Sequence, residues 1–416
     1  MNSLEFPASI LKLENGLTLI HQEIPSAVVA VDIWVKAGAI AEPIQWSGMA
    51  HFLEHMIFKG TDKVGPGWFD QVIESRGGMA NAATSHDYAH YFLTTSPEHL
   101  AETLPCLAEL LLNASIPADE FARERAVVIE EIHQAHDDPD WLAFQALTES
   151  IYQCHPYGRS VLGTEAILSA RSPEEMRCFH DAYYQPENMT VVIVGGVTQA
   201  SVLALVERTF KHFADRSECP VSEVAAEPPI VGIRRQEIQH PQLEQSRLLM
   251  AWIGPGVDHL QSAYGLDLLS VMLAEGRSSR LVRELREERQ LVQAISSSFS
   301  LQRESGLFTI SVWLEPEVIN LVESIICERL NELTTTPISA AELRRCQRLL
   351  CNDYAFSTET SGQIAGLYGY YNTIAQAEIS TIYPHRIQAF QAEELQGLVS
   401  QFLSPHNYAA TILQPC

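Results

Sequence analysis

The two halves of this chain repeat one another, and that repetition limits the folds open to it more than any other feature. Setting Gly276 on Gly60, an offset of 216, lays Gly265-Leu-Asp267-Leu-Leu-Ser270-Val271-Met-Leu-Ala-Glu-Gly276 over the stretch Met-Ala-His51-Phe-Leu-Glu54-His55-Met-Ile-Phe-Lys-Gly60. At the same offset Phe308, inside the strand-like run 307–313, falls on Phe92. Further on, Ala392-Glu-Glu394 followed by Pro405-His-Asn407 echoes Glu174-Glu175 followed by Pro186-Glu-Asn188. Three matches in one order indicate a duplicated domain. A length of 416 residues agrees, being too long for one core and suited to two units of about 200. Residues 215–229 are polar, Pro-rich and without period, the composition of a linker. The expected division is therefore 1–216, a linker over 217–231, and 232–416.

Each half mixes strand and helix signals. Residues 11–22 read as two strands about a Glu14-Asn15-Gly16 turn, and 28–37 as a β-branched strand. Helical patterns follow over 68–75, 97–113, 118–136 and 141–154. Ser172-Pro-Glu-Glu175 is a capping box that opens another helix, and 189–195 is a buried strand. Hence the expected class is α+β: two homologous α/β domains.

Within the first copy, His51, Glu54 and His55 stand at i, i+3 and i+4, so a helix places all three on one face. Phe52, Leu53, Met56 and Ile57 give that helix an apolar body. Two imidazoles one turn apart suit Zn²⁺, which takes neutral His nitrogens and usually a third protein ligand, with water at the open position of a catalytic site. A carboxylate between them is placed to deprotonate that water. Two histidines and a glutamate also occur on ordinary solvated helix faces, so the chemistry depends on a third ligand elsewhere. The second copy has Asp267, Ser270 and Val271 in their places and has lost the trio.

The helix over 118–136 offers Glu120, Glu124, Glu130, Glu131, His133 and His136. Glu124 and Glu131, seven apart, share a face with Val128 between them; one can bind metal while the other holds a ligand histidine. Glu130 lies about 100° round the helix from Glu131, so only one of that pair can face the ion. His133 and His136 sit by the Asp-Asp-Pro terminus, where they complement the helix dipole. Residues 79–94 are small and polar with period-2 character, as a sheet edge receiving a peptide requires. On one continuous strand His86 and His90 would project on the same side, where a second metal site is weighed against the favoured reading of surface or hydrogen-bonded histidines.

The balance of 52 acidic against 27 basic residues, −25 in all, argues against nucleic-acid or anionic-membrane partners. The longest apolar runs, 191–194 and 108–112, are far too short for a membrane span. The N-terminus reads as neither a signal nor a transit peptide. Eight scattered cysteines without a Cys-x-x-Cys pair fit reduced thiols, and together these point to the cytoplasm.

His51-x-x-Glu54-His55, with Glu131 seventy-six residues beyond His55 and Glu124 seven before Glu131, resembles the inverted zinc motif of the pitrilysin/insulinase family, the inverzincin signature. The opening hairpin, the Asn81-Ala-x-Thr84 stretch, the Glu-Glu-Ile helix and the duplicated half extend the resemblance over nearly the whole chain. It is similar to the single-cassette branch, which includes mitochondrial processing peptidase subunits and bacterial peptidases of this length. The resemblance implies two similar domains, each a mostly antiparallel sheet flanked by helices. It implies one Zn²⁺ per chain held by His51, His55 and Glu131, with Glu54 as base and Glu124 supporting the ligands. It implies peptide substrates whose backbone pairs with Ala80, Asn81 and Ala82. Many active members carry an Arg and, seven residues on, a Tyr that meet the substrate from the second domain. Here Gln363 stands in place of the Arg, with Tyr370 and Tyr371 as the aromatic candidates. That points to a homodimer or, better, a heterodimer with a zinc-free homologous subunit. Other readings are a non-catalytic assembly subunit of the same fold and a peptide-binding module with a structural zinc.

Overall fold

Two antiparallel-rich sheets carry the duplication. In the computed structural model, which describes residues 6–416, the first half forms β1 (Ser9–Lys12), β2 (Thr18–Glu23), β3 (Val29–Val35), β4 (Met79–Thr84), β5 (Ala89–Thr95) and β6 (Met189–Gly195). The second half forms β7 (Ile233–His240), β8 (Ser246–Pro255), β9 (Val292–Ser300), β10 (Ser305–Leu314) and β11 (Tyr408–Pro415). Their orders are β1-β2-β6-β3-β5-β4 and β7-β11-β8-β10-β9. Each sheet ends in a strand, β4 or β9, hairpinned to its neighbour. Each also has one parallel pair, β2 with β6 and β7 with β11, and is otherwise antiparallel. Phe92 on β5 and Phe308 on β10 occupy like places, opposite Asp32 of β3 and Trp252 of β8.

The local reasons are those visible in the chain. β3 and β6, rich in β-branched residues, are buried along their whole length and lie mid-sheet. The β1–β2 turn closes with Gly16 at φ +99 and the Asn15 side chain accepting from Leu17 N–H at 3.1 Å.

Helices cover the sheets: α1 (Met49–Ile57), α2 (Trp68–Glu74), α3 (Leu100–Leu112), α4 (Ala118–Asp137), α5 (Pro139–Ile151), α6 (Glu165–Ser169), α7 (Pro173–Tyr183) and α8 (Gln199–Thr209) in the first half. The second half adds α9 (Leu260–Ala274), α10 (Ile319–Thr335), α11 (Ala340–Phe356), α12 (Ser361–Ile374), α13 (Ile379–Ala389) and α14 (Ala392–Phe402). The capping box at Ser172 forms, each partner accepting from the other's backbone N–H. Residues 212–231 carry no regular structure.

Contacts gather the chain into two units, and each takes a helix from the opposite half. Unit 1 comprises residues up to His133, Arg159–Val224 and Ser357–Thr381; unit 2 comprises Gln134–Gly158, Ala225–Phe356 and Ile382–Cys416. In unit 2, α5 lies on β7, β8 and β11. In unit 1, α12 lies on β3 and β6.

The unit 1 sheet therefore has helices on both faces. Val31, Ile33, Tyr91 and Leu93 point to the side where Phe52, Leu53, Met56, Leu107 and Val128 complete the core. Ala30, Trp34, Val192 and Val194 point to the other, against Ala365 and Tyr368 of α12. Gly369 lets α12 approach: a Cβ there would overlap the Trp34 indole.

One expectation about the edge of this sheet is corrected. Residues 79–95 are a hairpin, so His86 sits in the turn between β4 and β5 and does not share a strand side with His90. His86 Nε2 donates to the Arg159 carbonyl at 3.0 Å. His90 Nδ1 donates to the Asp32 carboxylate at 3.0 Å, with its ring stacked 4.2 Å from Trp34.

Candidate metal centre

α1 is apolar on three sides and polar on one. Phe52, Leu53, Met56 and Ile57 are fully buried, His51 is 8% exposed, and Glu54 and His55 open partly to solvent. α4 buries a stripe of Phe121, Glu124, Val128 and Ile132, three to four residues apart. Phe52 and Phe121 meet with ring centroids 4.6 Å apart, which brings the two helices together. Glu131, one turn past Val128, then reaches the polar face of α1.

His51 Nε2 lies 3.7 Å from Glu131 Oε1 and His55 Nε2 lies 3.5 Å from Glu131 Oε2. Ligand atoms of the three residues all fall within 4.8 Å of one another. Donors around a tetrahedral ion with bonds of 2.0–2.2 Å stand about 3.4 Å apart, so both imidazole–Glu131 spacings fit Zn²⁺. Burial, with the neighbouring His55 adding to it, pushes His51 down to about 4, which favours the neutral imidazole that ligates metal. His55 is oriented from behind: its Nδ1 donates to Glu124 Oε1 at 2.9 Å, leaving Nε2 for the cluster. Lys59 Nζ holds the other Glu124 oxygen at 2.6 Å. Glu130 is turned instead toward His133, 3.9 Å away.

Glu54 stands between the histidines and accepts from Thr84 Oγ1 at 2.6 Å, which ties it to the last residue of β4. Burial raises its carboxyl above the usual range, against the pull of that bond. Ala80, Asn81 and Ala82 lie on β4, the outer strand of its sheet. Ala80 and Ala82 lean on the core, while Asn81 is exposed and its Oδ1 accepts from Ala82 N–H at 2.9 Å.

Gln363, Tyr370 and Tyr371 lie on α12, across the sheet from α1. Gln363 caps that helix, its Oε1 accepting from Thr360 N–H at 3.0 Å. Tyr370 packs near Trp34 and Tyr88, with Tyr371 beside it.

Two participants escape the motif reading. Thr84 was visible only as part of a small-residue stretch. Glu42, seven residues past the end of β3, is fully buried and accepts from Gly48 N–H at 2.9 Å and Ala50 N–H at 2.6 Å. No sequence signal marks it: Ser47 stands directly before Gly48 as an ordinary cap candidate, and only the structure puts Gly48 at the helix boundary with no side-chain cap.

The second copy keeps a different chemistry at the matching helix. Asp267 on α9 accepts from Tyr383 O–H at 2.9 Å, and burial pushes its carboxyl up to about 7, with Asp353 adding to the rise. Below about pH 4 the group is neutral in both folded and unfolded chains. Between there and about 7 the folded chain binds the extra proton, so stability falls as pH rises. Asp267→Asn removes that dependence. The urea midpoint of wild type should therefore drop relative to Asp267→Asn between pH 4.5 and 7.5, and parallel curves would refute the shift.

Residues 17–165 match the family model described as insulinase (peptidase family M16), and residues 171–350 match that of the peptidase M16 inactive domain. The chain is 29% identical over 408 residues to the zinc protease PqqE of Helicobacter pylori, covering 97% of this chain and 92% of that protein. It is 28% identical over 411 residues to an uncharacterized zinc protease of Rickettsia felis, with 97% of each covered. The crystal structure of a protease from Helicobacter pylori superposes with a TM-score of 0.92 at 26% identity, covering 98% of this chain and 99% of that one. Among the described residues no helix is long and apolar enough to cross a membrane.

Proposed function

We propose, because this chain belongs to the insulinase family of peptidases, peptidase family M16, that it is a zinc-dependent endopeptidase acting on peptides or unfolded polypeptides. The observation that carries this reading is the spacing of 3.5 and 3.7 Å between the imidazoles and Glu131, with Glu54 left beside them. His51, His55 and Glu131 would hold one Zn²⁺, and Glu124 would keep His55 in the tautomer that presents Nε2. The ion, when bound, would polarise the scissile carbonyl and lower the pKa of a water toward neutrality. Glu54 would take the proton from that water and deliver it to the leaving amine, and Thr84 would hold its carboxylate in place. Backbone groups of Ala80, Asn81 and Ala82, on the outer strand of their sheet, would pair with the extended substrate once Asn81 Oδ1 releases the Ala82 N–H.

A dimer belongs to the same reading, with a second copy or with a zinc-free homologue that supplies the missing cation. Gln363 is neutral and engaged in capping α12, so a second copy of this chain would bring no cation at that position, which favours the zinc-free homologue. The mass of the active species in solution tests it.

Zinc content and cleavage of a mixed peptide library, each measured with and without chelator, test the function. Glu131→Gln should weaken zinc binding by about 10-fold or more, whereas Glu130→Gln should leave it unchanged. Equal affinities would mean that the third ligand lies elsewhere. Zinc bound without cleavage would favour the peptide-binding module.

A further inference from the structure

α1 has no cap of its own. Gly48, at its N-terminal boundary, has no side chain and lies at φ +91, where a Cβ would come within 2.6 Å of the Leu162 carbonyl. Ser, Asp or Asn, which cap most helices, cannot be accommodated there without strain. The first amides of a helix need acceptors, and its N-terminus favours negative charge. Glu42 supplies two such acceptors: its Oε2 takes Gly48 N–H at 2.9 Å and its Oε1 takes Ala50 N–H at 2.6 Å.

The arrangement is built. Glu42 is 0% exposed, and Arg159 donates to its backbone carbonyl at 3.1 Å, which anchors the chain behind the carboxyl. Burying a carboxyl is costly, and burial pushes this one up to about 8 against the pull of Ala50, Gly48 and Arg159. A core of hydrophobic residues has no need of such a group. The amide of Ala50 belongs to the residue directly before His51, so the carboxyl acts on the helix at the first ligand.

We propose that Glu42 is a positioning residue of the metal centre, holding the height and rotation of α1 so that His51 and His55 meet Glu131. The proposal rests on the zinc reading above. α1 is only nine residues long, so its first turn is also the turn that carries the first ligand. A slide of about 1 Å is half a metal–ligand bond and would spoil the donor spacing.

Glu42→Gln keeps the shape but offers one acceptor oxygen, turning an NH₂ toward one of the two backbone N–H groups. Glu42→Asp keeps the carboxyl but is one methylene shorter. Zinc affinity by chelator competition and the visible spectrum of the Co²⁺-loaded chain read ligand geometry without reference to turnover. Glu42→Gln should bind zinc about 10- to 100-fold more weakly, as loss of groups supporting metal ligands typically does, and should shift the cobalt bands. Glu42→Asp should fall between it and wild type. Folded variants within twofold of wild-type affinity and with an unchanged cobalt spectrum would overturn the proposal, even if their denaturation midpoints fall. Failure of both variants to fold would assign Glu42 to the core alone and also overturn it. A wild-type chain that binds no zinc would instead remove the peptidase reading.

Discussion

Glu54→Gln is expected to keep zinc and lose hydrolysis. The substitution is isosteric, and a Gln carbonyl oxygen can still accept from Thr84 Oγ1, so the position of the side chain survives. His51, His55 and Glu131 are untouched, and zinc affinity should stay within about threefold of wild type. The lost property is basicity. A neutral amide cannot take a proton from water, and general-base catalysis is typically worth about 10²–10⁴ in rate. kcat should therefore fall by that factor with little change in KM. A zinc-loaded Glu54→Gln enzyme within tenfold of the wild-type kcat would mean that the base lies elsewhere.

Phe52→Ala should have the largest effect on stability, and it reaches the site through packing. Phe52 is fully buried beside the polar face of α1, about 100° round the helix from His51, with its ring centroid 4.6 Å from that of Phe121 of α4. Removing a buried aromatic ring costs about 3–5 kcal/mol, from lost transfer free energy and the cavity left behind. The same ring pair spaces the two helices that carry His51, His55 and Glu131, so collapse into the cavity would also move the donors. Urea unfolding of the metal-free chain should show the loss, and zinc affinity of the folded variant should fall with it. A change below about 1 kcal/mol would show that other contacts hold α1 against α4.

The local devices of this fold were legible in the chain. Glu14-Asn15-Gly16 turns where its residue types demand, Ser172 and Glu175 cap one another, and β3 and β6 bury β-branched runs. The duplication appears as two sheets of like order. At the site, His51, Glu54 and His55 share a face because helical geometry is fixed by neighbours three and four residues away. Residue spacing confined the third ligand to a few candidates on α4, and the resemblance implied Glu131.

Everything that joins distant segments was decided by packing. Glu131 rather than Glu130 meets the histidines because Phe121 and Val128 orient α4 against α1. Thr84 reaches Glu54 because the hairpin sets β4 beside α1. His86 and His90 part because the chain turns between them, a choice that period-2 character did not reveal. The placement of α5 and α12 in units built mainly by the opposite half has no local signature, since either helix only needs an apolar surface to cover. Glu42 is hidden for the same reason. A lone glutamate carries no pattern, and its bonds to Gly48 and Ala50 exist only once the intervening chain has folded back and shut out water. Spacing along a helix or strand determines which side chains share a face, but which faces meet depends on the burial of the whole core.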